Sequence, residues 1–346
     1  MSSPYQHALV ITGGASGIGA ACVRDALSRG WLVAFCDIVP IALVPPGLLH
    51  DHAVYVQADV RDVPSMESFH NHALQFFRDH NVGVVPTLSV VASAGISRRG
   101  DPEQVKLMKD INEGGTLNLL WAFAKEIEEE KGLFVSLSSI VAAEDIAVKG
   151  DEEYKATKQE ALRIATEEAS DTLSVRGFAV APGAIDTPMT RHESIFAMLL
   201  LGAAQVFGKP EHPLHSKVTE LAGVQPGATS AEIFAGLLGP ELVEAPDFAR
   251  LRRKMDSDPE LAKFSKWYMV YSNVRDEDGK IHPRPELITR AAEVLAQLDV
   301  VLSPEEVAKQ MLDQLESGQP YEGGLMRVYS RSGDNRITEL LGSFAG

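Results

Sequence analysis

Residues 7–19 read "HALVITGGASGIG". A short apolar run, 7–12, goes straight into glycines, and a helical pattern follows from Gly17 to Arg29. A strand that turns abruptly into a helix leaves the first helical N–H groups unpaired and puts the positive end of the helix dipole at the turn. Glycines at 13, 17 and 19 permit the tight turn, close approach of an anion to the backbone, and close packing of helix on strand. A glycine pattern alone is a weak signal, because glycine-rich turns are common. The next apolar run, "WLVAFCDI" (31–38), strengthens it by ending on Asp37, 18 residues after Gly19.

That arrangement of strand, glycine turn, helix, strand and acidic residue is the pattern of a dinucleotide site. Gly13, Ser16, Gly17, Ile18 and Gly19 would line the pyrophosphate. Asp37 would accept hydrogen bonds from the adenosine ribose hydroxyls and repel a 2′-phosphate, which favours NAD over NADP. The plainer alternative makes Asp37 a turn residue at the start of a loop.

Further apolar runs at 53–58, 86–92, 133–138 and 176–181 alternate with helical stretches at about 64–80, 101–131 and 151–174. Such alternation predicts an α/β fold: a Rossmann-like, doubly wound parallel sheet with helices on both faces and ligands at the carboxyl ends of its strands. The rhythm breaks between 191 and 300, where prolines recur and only short helical patches fit. It returns with a helix near 303–317, introduced by Ser303, Pro304 and Glu306, and a last strand near 323–329. The expected organisation is a dinucleotide-binding and catalytic domain over 1–190 and a helical insertion over the substrate site at 191–300. The last helix and strand of the first domain follow at 301–330, and a C-terminal tail at 331–346.

Composition narrows the function. The chain has 346 residues, 45% of them hydrophobic, enough for a sizeable core. A net charge of −16 argues against nucleic acid or an anionic membrane surface as the main partner. Cys22 and Cys36 sit in apolar segments without framework spacing, as small core residues of a protein in a reducing compartment. No secretory signal is visible, and the most apolar run, 194–208, is too short for an integral membrane segment, so a cytoplasmic location is expected. His212 and His215 lack Cys or carboxylate partners at metal-binding spacing, so no metal is expected. The basic run 250–254 reads as a solvated helix face.

"DEEYKATKQEA" (151–161) puts Tyr154 and Lys158 on one face of a helix, one turn apart. A surface pair is the plainer reading. The chemical one is that an ammonium lowers the pKa of a nearby phenol and makes it a usable acid or base.

"TGGASGIG", "YKATK" and "PGAIDTPM" (182–189) resemble the three signature motifs of the short-chain dehydrogenase/reductase family, in family order and at near-family spacing. The resemblance covers about 7–190 and 303–330. Within the family, the NAD preference and the segment "LSPEEVAKQMLDQLESG" with "GGLMRV" are most similar to 15-hydroxyprostaglandin dehydrogenase-type members.

The resemblance implies an NAD-dependent oxidoreductase that interconverts a hydrophobic secondary alcohol and its ketone. Tyr154 would carry the proton, Lys158 would bond the nicotinamide ribose, and Ser139 would hold the substrate oxygen. Asn112, in "DINEGG", would continue a proton relay through water. Asp59 and Val60 would contact adenine, and Ala94 and Gly95 would line the cofactor. Pro182, Gly183, Ile185 and Thr187 would hold the nicotinamide. Relatives pair through two helices into homodimers or homotetramers, and Leu117, Leu120, Trp121 and Phe123 are apolar beyond a single core-facing stripe.

Three departures stand out. Ser93 replaces an Asn that in relatives mainly braces the sheet. The gap from Ser139 to Tyr154 is about two residues longer than usual, so Ser138 is an alternative holder of the substrate oxygen. The insertion at 191–300 is several times the usual length. Its apolar part, 194–208, is expected to face the substrate pocket or a partner subunit. The loop and the insertion also motivate an alternative function: a non-redox isomerase, dehydratase or cyclase of the same fold, acting on a bulky metabolite beside a bound nicotinamide cofactor.

Overall fold

A computed structural model of the chain describes residues 5–80, 87–98, 100–144, 146, 152–192, 195–239, 273–275, 281–283 and 285–342. They fall into two compact units, Met1–Pro182 with Ser303–Val328, and Gly183–Leu302 with Tyr329–Gly346. The chain passes between them at 182/183, 302/303 and 328/329.

The first unit alternates strand and helix: β1 (His7–Thr12), α1 (Gly17–Ser28), β2 (Leu32–Asp37), β3 (Ala53–Gln57), α2 (Val63–His80) and β4 (Thr87–Ala92). Next come α3 (Pro102–Lys109), α4 (Gly115–Glu129), β5 (Leu133–Leu137), α5 (Ile140–Ala143), α6 (Glu152–Arg163), α7 (Ala169–Leu173) and β6 (Gly177–Pro182). The unit closes with α13 (Pro304–Glu316) and β11 (Leu325–Val328), the intervening elements belonging to the second unit. Seven strands form one parallel sheet in the order β11-β6-β5-β4-β1-β2-β3.

Strands buried on both faces are apolar at consecutive positions rather than at alternate ones. In β1, Ala8 and Val10 look into a cluster with Phe69, Leu119 and Phe123, while Leu9 and Ile11 point to the opposite face and are equally buried. Helices α1 and α13 pack together, and Arg29, the C-cap of α1, pairs with Asp25, Asp313 and Glu316. Cys22 and Cys36 are buried free thiols whose pKa values burial pushes up.

The two long helices predicted over 101–131 and 151–174 are each interrupted by a π turn, Asp110–Gly114 and Ile164–Glu168. Leu120 and Phe123 lie in the core and Leu117 packs against it, so of the four apolar residues noted on this helix only Trp121, 53% exposed, is on the surface.

In the second unit, β7 (Ala184–Ile185), α8 (Pro188–His192), α9 (Ile195–Val206), α10 (His215–Ala222) and α11 (Ser230–Leu238) precede β8 (Asn273–Arg275) and β9 (Ile281–Pro283). Then come α12 (Pro285–Gln297), β10 (Val301–Leu302) and α14 (Arg336–Gly342). The expectation that 194–208 faces a pocket or a partner is corrected for its fully buried residues, while Met198, Leu201 and Val206 are only partly buried. Phe196, Leu199, Leu200, Ala203, Ala204 and Phe207 are fully buried, and α9 packs on α11, α12 and α14 of its own unit. A helix apolar nearly all round is a core helix.

Within the segment expected as a C-terminal tail, 336–342 build α14, whose Ile337, Leu340 and Leu341 are buried. Asp299, at φ +58°, holds the preceding loop: its carboxylate accepts from Arg331 N (2.7 Å), Ser332 N (3.0 Å) and Ser332 Oγ (2.7 Å). His212 stacks on Phe207 and pairs with Glu339, and the His215 ring bonds Gly208 O. The basic run 250–254 and the centre of the loop between Ser139 and Tyr154 lie outside the described residues. No described helix is long and apolar enough to cross a membrane.

If α9 is core, Leu200→Ala should cost about 2–5 kcal/mol of stability. Urea denaturation checks this; a loss under about 0.5 kcal/mol is the surface-residue outcome.

Candidate active site

Strand order reverses beside β1 and β4, and their carboxyl ends carry the glycine turn and the 93–96 loop. The glycines are there because nothing larger fits. A Cβ on Gly13, whose φ is +66°, would lie 2.8 Å from Ala94 Cα, and one on Gly19 would lie 2.2 Å from Gly13 O. Gly17, at φ +52°, opens α1, with Ser16 as its N-cap; Ser16 is exposed and makes no side-chain cap bond. Ile18 is partly buried in the first turn. Backbone this bare, at a helix N-terminus, fits the pyrophosphate of a dinucleotide.

Thr12 ties the two strand ends together. Its Oγ1 accepts from Ser93 N and Ala94 N, both at 3.2 Å. This buried hydroxyl joins β1 to the loop at the place where Ser93 departs from the family's Asn.

Asp37 ends β2 and faces the same turn. Its carboxylate accepts from Ala15 N (3.1 Å) and Ile38 N (2.8 Å), so backbone amides hold it toward the glycine loop. The Tyr55 hydroxyl donates to Asp37 O and Val39 O and fixes the chain where it leaves the strand. Burial and the Asp37 charge push that phenol up to about 12. The Asp59 carboxylate is held below the usual range by the Arg61 guanidinium, bonded at 3.0 and 2.5 Å. Val60 is buried against Gly115, where a Cβ would come within 2.5 Å of its Cγ2, and Val60 O accepts from Asn118.

Gly95, Asn112 and Lys158 converge. A Cβ on Gly95 would sit 3.2 Å from both Asn112 Oδ1 and Lys158 Nζ. Asn112 lies in the π turn between α3 and α4, a local widening often found at functional sites. Its side chain is committed: Oδ1 accepts from Ile96 N, and Nδ2 donates to Ile96 O and Thr157 Oγ1.

Lys158 is buried, and its ammonium donates to Leu137 O at 2.9 Å and lies 5.9 Å from the centroid of the Tyr154 ring. Burial brings its pKa down to about 8. Two serines on one face of β5 and its extension pin α6: Ser136 Oγ donates to Ala161 O and Ser138 Oγ to Lys158 O, both at 2.7 Å. The Ser138 hydroxyl is therefore spent on the helix. Ser139, the N-cap of α5, is partly buried and makes no side-chain cap bond. Thr12, Tyr55, Ser136 and Thr157 have no counterpart among the residues expected from sequence, because side chain-to-backbone bonds between distant segments leave no spacing signal.

Pro182 ends β6, in register with Val328 of β11. In the second unit, β7 pairs with β10, and Asp186 N donates to Leu302 O at 2.9 Å. Gly183 packs on Tyr329, Ile185 O accepts from Thr187 N at 2.8 Å, and Thr190 Oγ1 accepts from the same amide at 3.0 Å.

A parallel sheet whose switch-point turn admits a pyrophosphate defines a nucleotide-binding α/β protein. Comparison with known proteins identifies the family: the short chain dehydrogenase model matches residues 7–196, and the chain belongs to that family of nicotinamide-dependent oxidoreductases. The likeness to 15-hydroxyprostaglandin dehydrogenase-type members is not part of that match.

Acetoacetyl-CoA reductase of Synechocystis sp. is 32% identical over 190 residues, 53% of this chain and 73% of the relative. A 3-alpha-(or 20-beta)-hydroxysteroid dehydrogenase of Mycobacterium tuberculosis is 31% identical over 209 residues, 57% of this chain and 76% of the relative. Among solved structures, an alcohol dehydrogenase of the archaeon Thermococcus sibiricus complexed with 5-hydroxy-NADP is 26% identical. It covers 52% of this chain and 77% of its own, with a TM-score of 0.45.

The lowered Lys158 pKa gives a pH test. The unfolded chain keeps this proton up to about 10.5, whereas the folded protein releases it near 8. Between those values the unfolded state binds more protons, so the cost of burying the charge is full below about pH 8 and fades as pH rises. In urea titrations without cofactor, Lys158→Met should be more stable than the wild type by about 3 kcal/mol near pH 7, with the gap closing toward pH 10.5. A gap independent of pH would show that Lys158 carries no such penalty.

Proposed function

We propose that this chain is an NAD-dependent dehydrogenase/reductase that interconverts a hydrophobic secondary alcohol and its ketone, with Tyr154 as the proton carrier. The observation that carries the reading is the buried Lys158 ammonium, one helical turn from Tyr154 and 5.9 Å from its ring centroid. A fixed positive charge favours the phenolate and brings a phenol, ordinarily near pKa 10, toward neutrality.

The residues that would hold the cofactor are Gly13, Ser16, Gly17, Ile18 and Gly19 at the pyrophosphate, Asp37 at the adenosine ribose, and Asp59 and Val60 at adenine. Ala94, Gly95 and Lys158 would hold the nicotinamide ribose, and Pro182, Gly183, Ile185 and Thr187 the nicotinamide. Bound NAD supplies the acceptor for hydride from the carbinol carbon, and its reduced form the donor in the opposite direction. The Tyr154 phenolate takes the alcohol proton in oxidation, and the phenol returns it in reduction. The Ser139 hydroxyl donates to the substrate oxygen and holds it beside Tyr154. Asn112 extends the proton path from Lys158.

The preference for NAD rests on the Asp37 carboxylate, which backbone amides hold toward the glycine loop. Support for a hydrophobic alcohol comes from relatives named for hydroxysteroids, since α9 fills its own core. Trp121, exposed on α4, fits a homodimer or homotetramer paired through α4 and α6.

Tyr154→Phe should cut turnover at least about a hundredfold, followed by NADH absorbance over a panel of secondary alcohols, with NAD affinity nearly intact. A mutant that keeps most of its turnover places the chemistry elsewhere. In titration calorimetry NAD should bind at least about tenfold, or 1.4 kcal/mol, tighter than NADP, and Asp37→Ala should narrow the gap. Equal affinities in the wild type defeat the cofactor assignment.

A further inference from the structure

We infer that Thr157 is a positioning residue whose hydroxyl couples Asn112, and through it the 93–96 loop, to the backbone of Tyr154. Thr157 is fully buried on α6, one residue before Lys158. Its Oγ1 accepts from Asn112 Nδ2 at 3.0 Å and donates to Tyr154 O at 2.8 Å. A carboxamide N–H can only donate and a carbonyl can only accept, so the directions in this chain are fixed. A threonine inside a helix commonly bonds the carbonyl of the preceding turn and nothing else. Here the same oxygen also takes a bond from a segment 45 residues away.

Asn112 makes the link long-range. Its other bonds go to Ile96 N and Ile96 O, both at 2.9 Å. The path therefore runs from Ile96 through Asn112 and Thr157 to Tyr154 O, and every member is a direct hydrogen bond. The loop that holds Ile96 also holds Ala94 and Gly95, which the proposed function assigns to the cofactor. Asn112 Oδ1 and Lys158 Nζ crowd the same face of Gly95. Asn112 and Lys158 thus border the same small space beside Gly95. Thr157 sets where the loop, the ammonium and the phenol sit relative to one another, without touching substrate.

Valine at 157 keeps the branched shape but removes both bonds, leaving a buried Asn112 N–H unpaired. The inference rests on Tyr154 as the proton carrier, and the test separates the two. Protein carrying 13C at tyrosine Cζ is titrated by NMR with saturating NAD, and Tyr154→Phe identifies the Tyr154 signal. The wild type and Thr157→Ser should titrate well below the ordinary phenol value of about 10, with Thr157→Val about one unit, or tenfold, higher. The Ile96 amide should also exchange about tenfold faster in Thr157→Val and recover in Thr157→Ser, which a packing role alone would not produce.

If Thr157→Val does not fold, Thr157→Ala serves the same comparison. A lowered Tyr154 pKa that the hydroxyl-free variant leaves unmoved overturns the role of Thr157 alone. A wild-type Tyr154 that titrates near 10 overturns the proposed proton carrier, and the inference falls with it.

Discussion

The ammonium of Lys158 is a charge held inside the protein, and burying a charge is costly unless polar groups meet it. The group that meets it is Leu137 O, at the end of β5. The helix that carries Lys158 is in turn fastened to the same strand end by Ser136 and Ser138, whose hydroxyls reach carbonyls three residues apart on α6. Strand period two and helical spacing three meet face to face, and this match sets the roll of α6. Tyr154 is presented one turn earlier on that helix. The helix that presents the phenol is thus anchored by hydroxyls of the neighbouring strand end.

The opposite side of the site depends on close backbone approach. Gly13 and Ala94 come so near that a side-chain carbon at 13 would collide, and Thr12 bonds both amides at the start of the neighbouring loop. The glycine turn and the 93–96 loop are therefore one assembly. Asn112 attaches this assembly to α6 through Ile96 and Thr157, and its π turn gives the helix an extra residue at the junction. At Ser93 the tie is made to a buried hydroxyl one strand away, that of Thr12.

The second unit carries its own core, which changes the meaning of the most apolar run in the chain. Phe196, Leu199, Leu200, Ala203 and Ala204 are buried where α9 packs on α11, α12 and α14, so their hydrophobicity reports a folding requirement. Asp299 completes the unit by binding the 331–332 backbone, and Arg336, whose guanidinium donates to Leu298 O, starts the final helix beside it.

The order of strands and helices, the glycine turn, Asp37 and the Tyr154–Lys158 pair were all readable along the chain. Each is a local pattern: a periodicity of two or 3.6, a backbone conformation open to glycine, or two side chains one turn apart. Family resemblance added Asn112 and Ser139, because motif order survives where contacts cannot be seen. Tertiary structure alone decided that Ser138 is spent on Lys158 O, that Leu120 and Phe123 are core, that α9 is a core helix and that 336–342 forms a helix. It also revealed Thr12, Ser136 and Thr157. These outcomes depend on which segments meet across tens of residues, and burial and hydrogen-bond partnership are properties of that meeting rather than of any stretch of sequence.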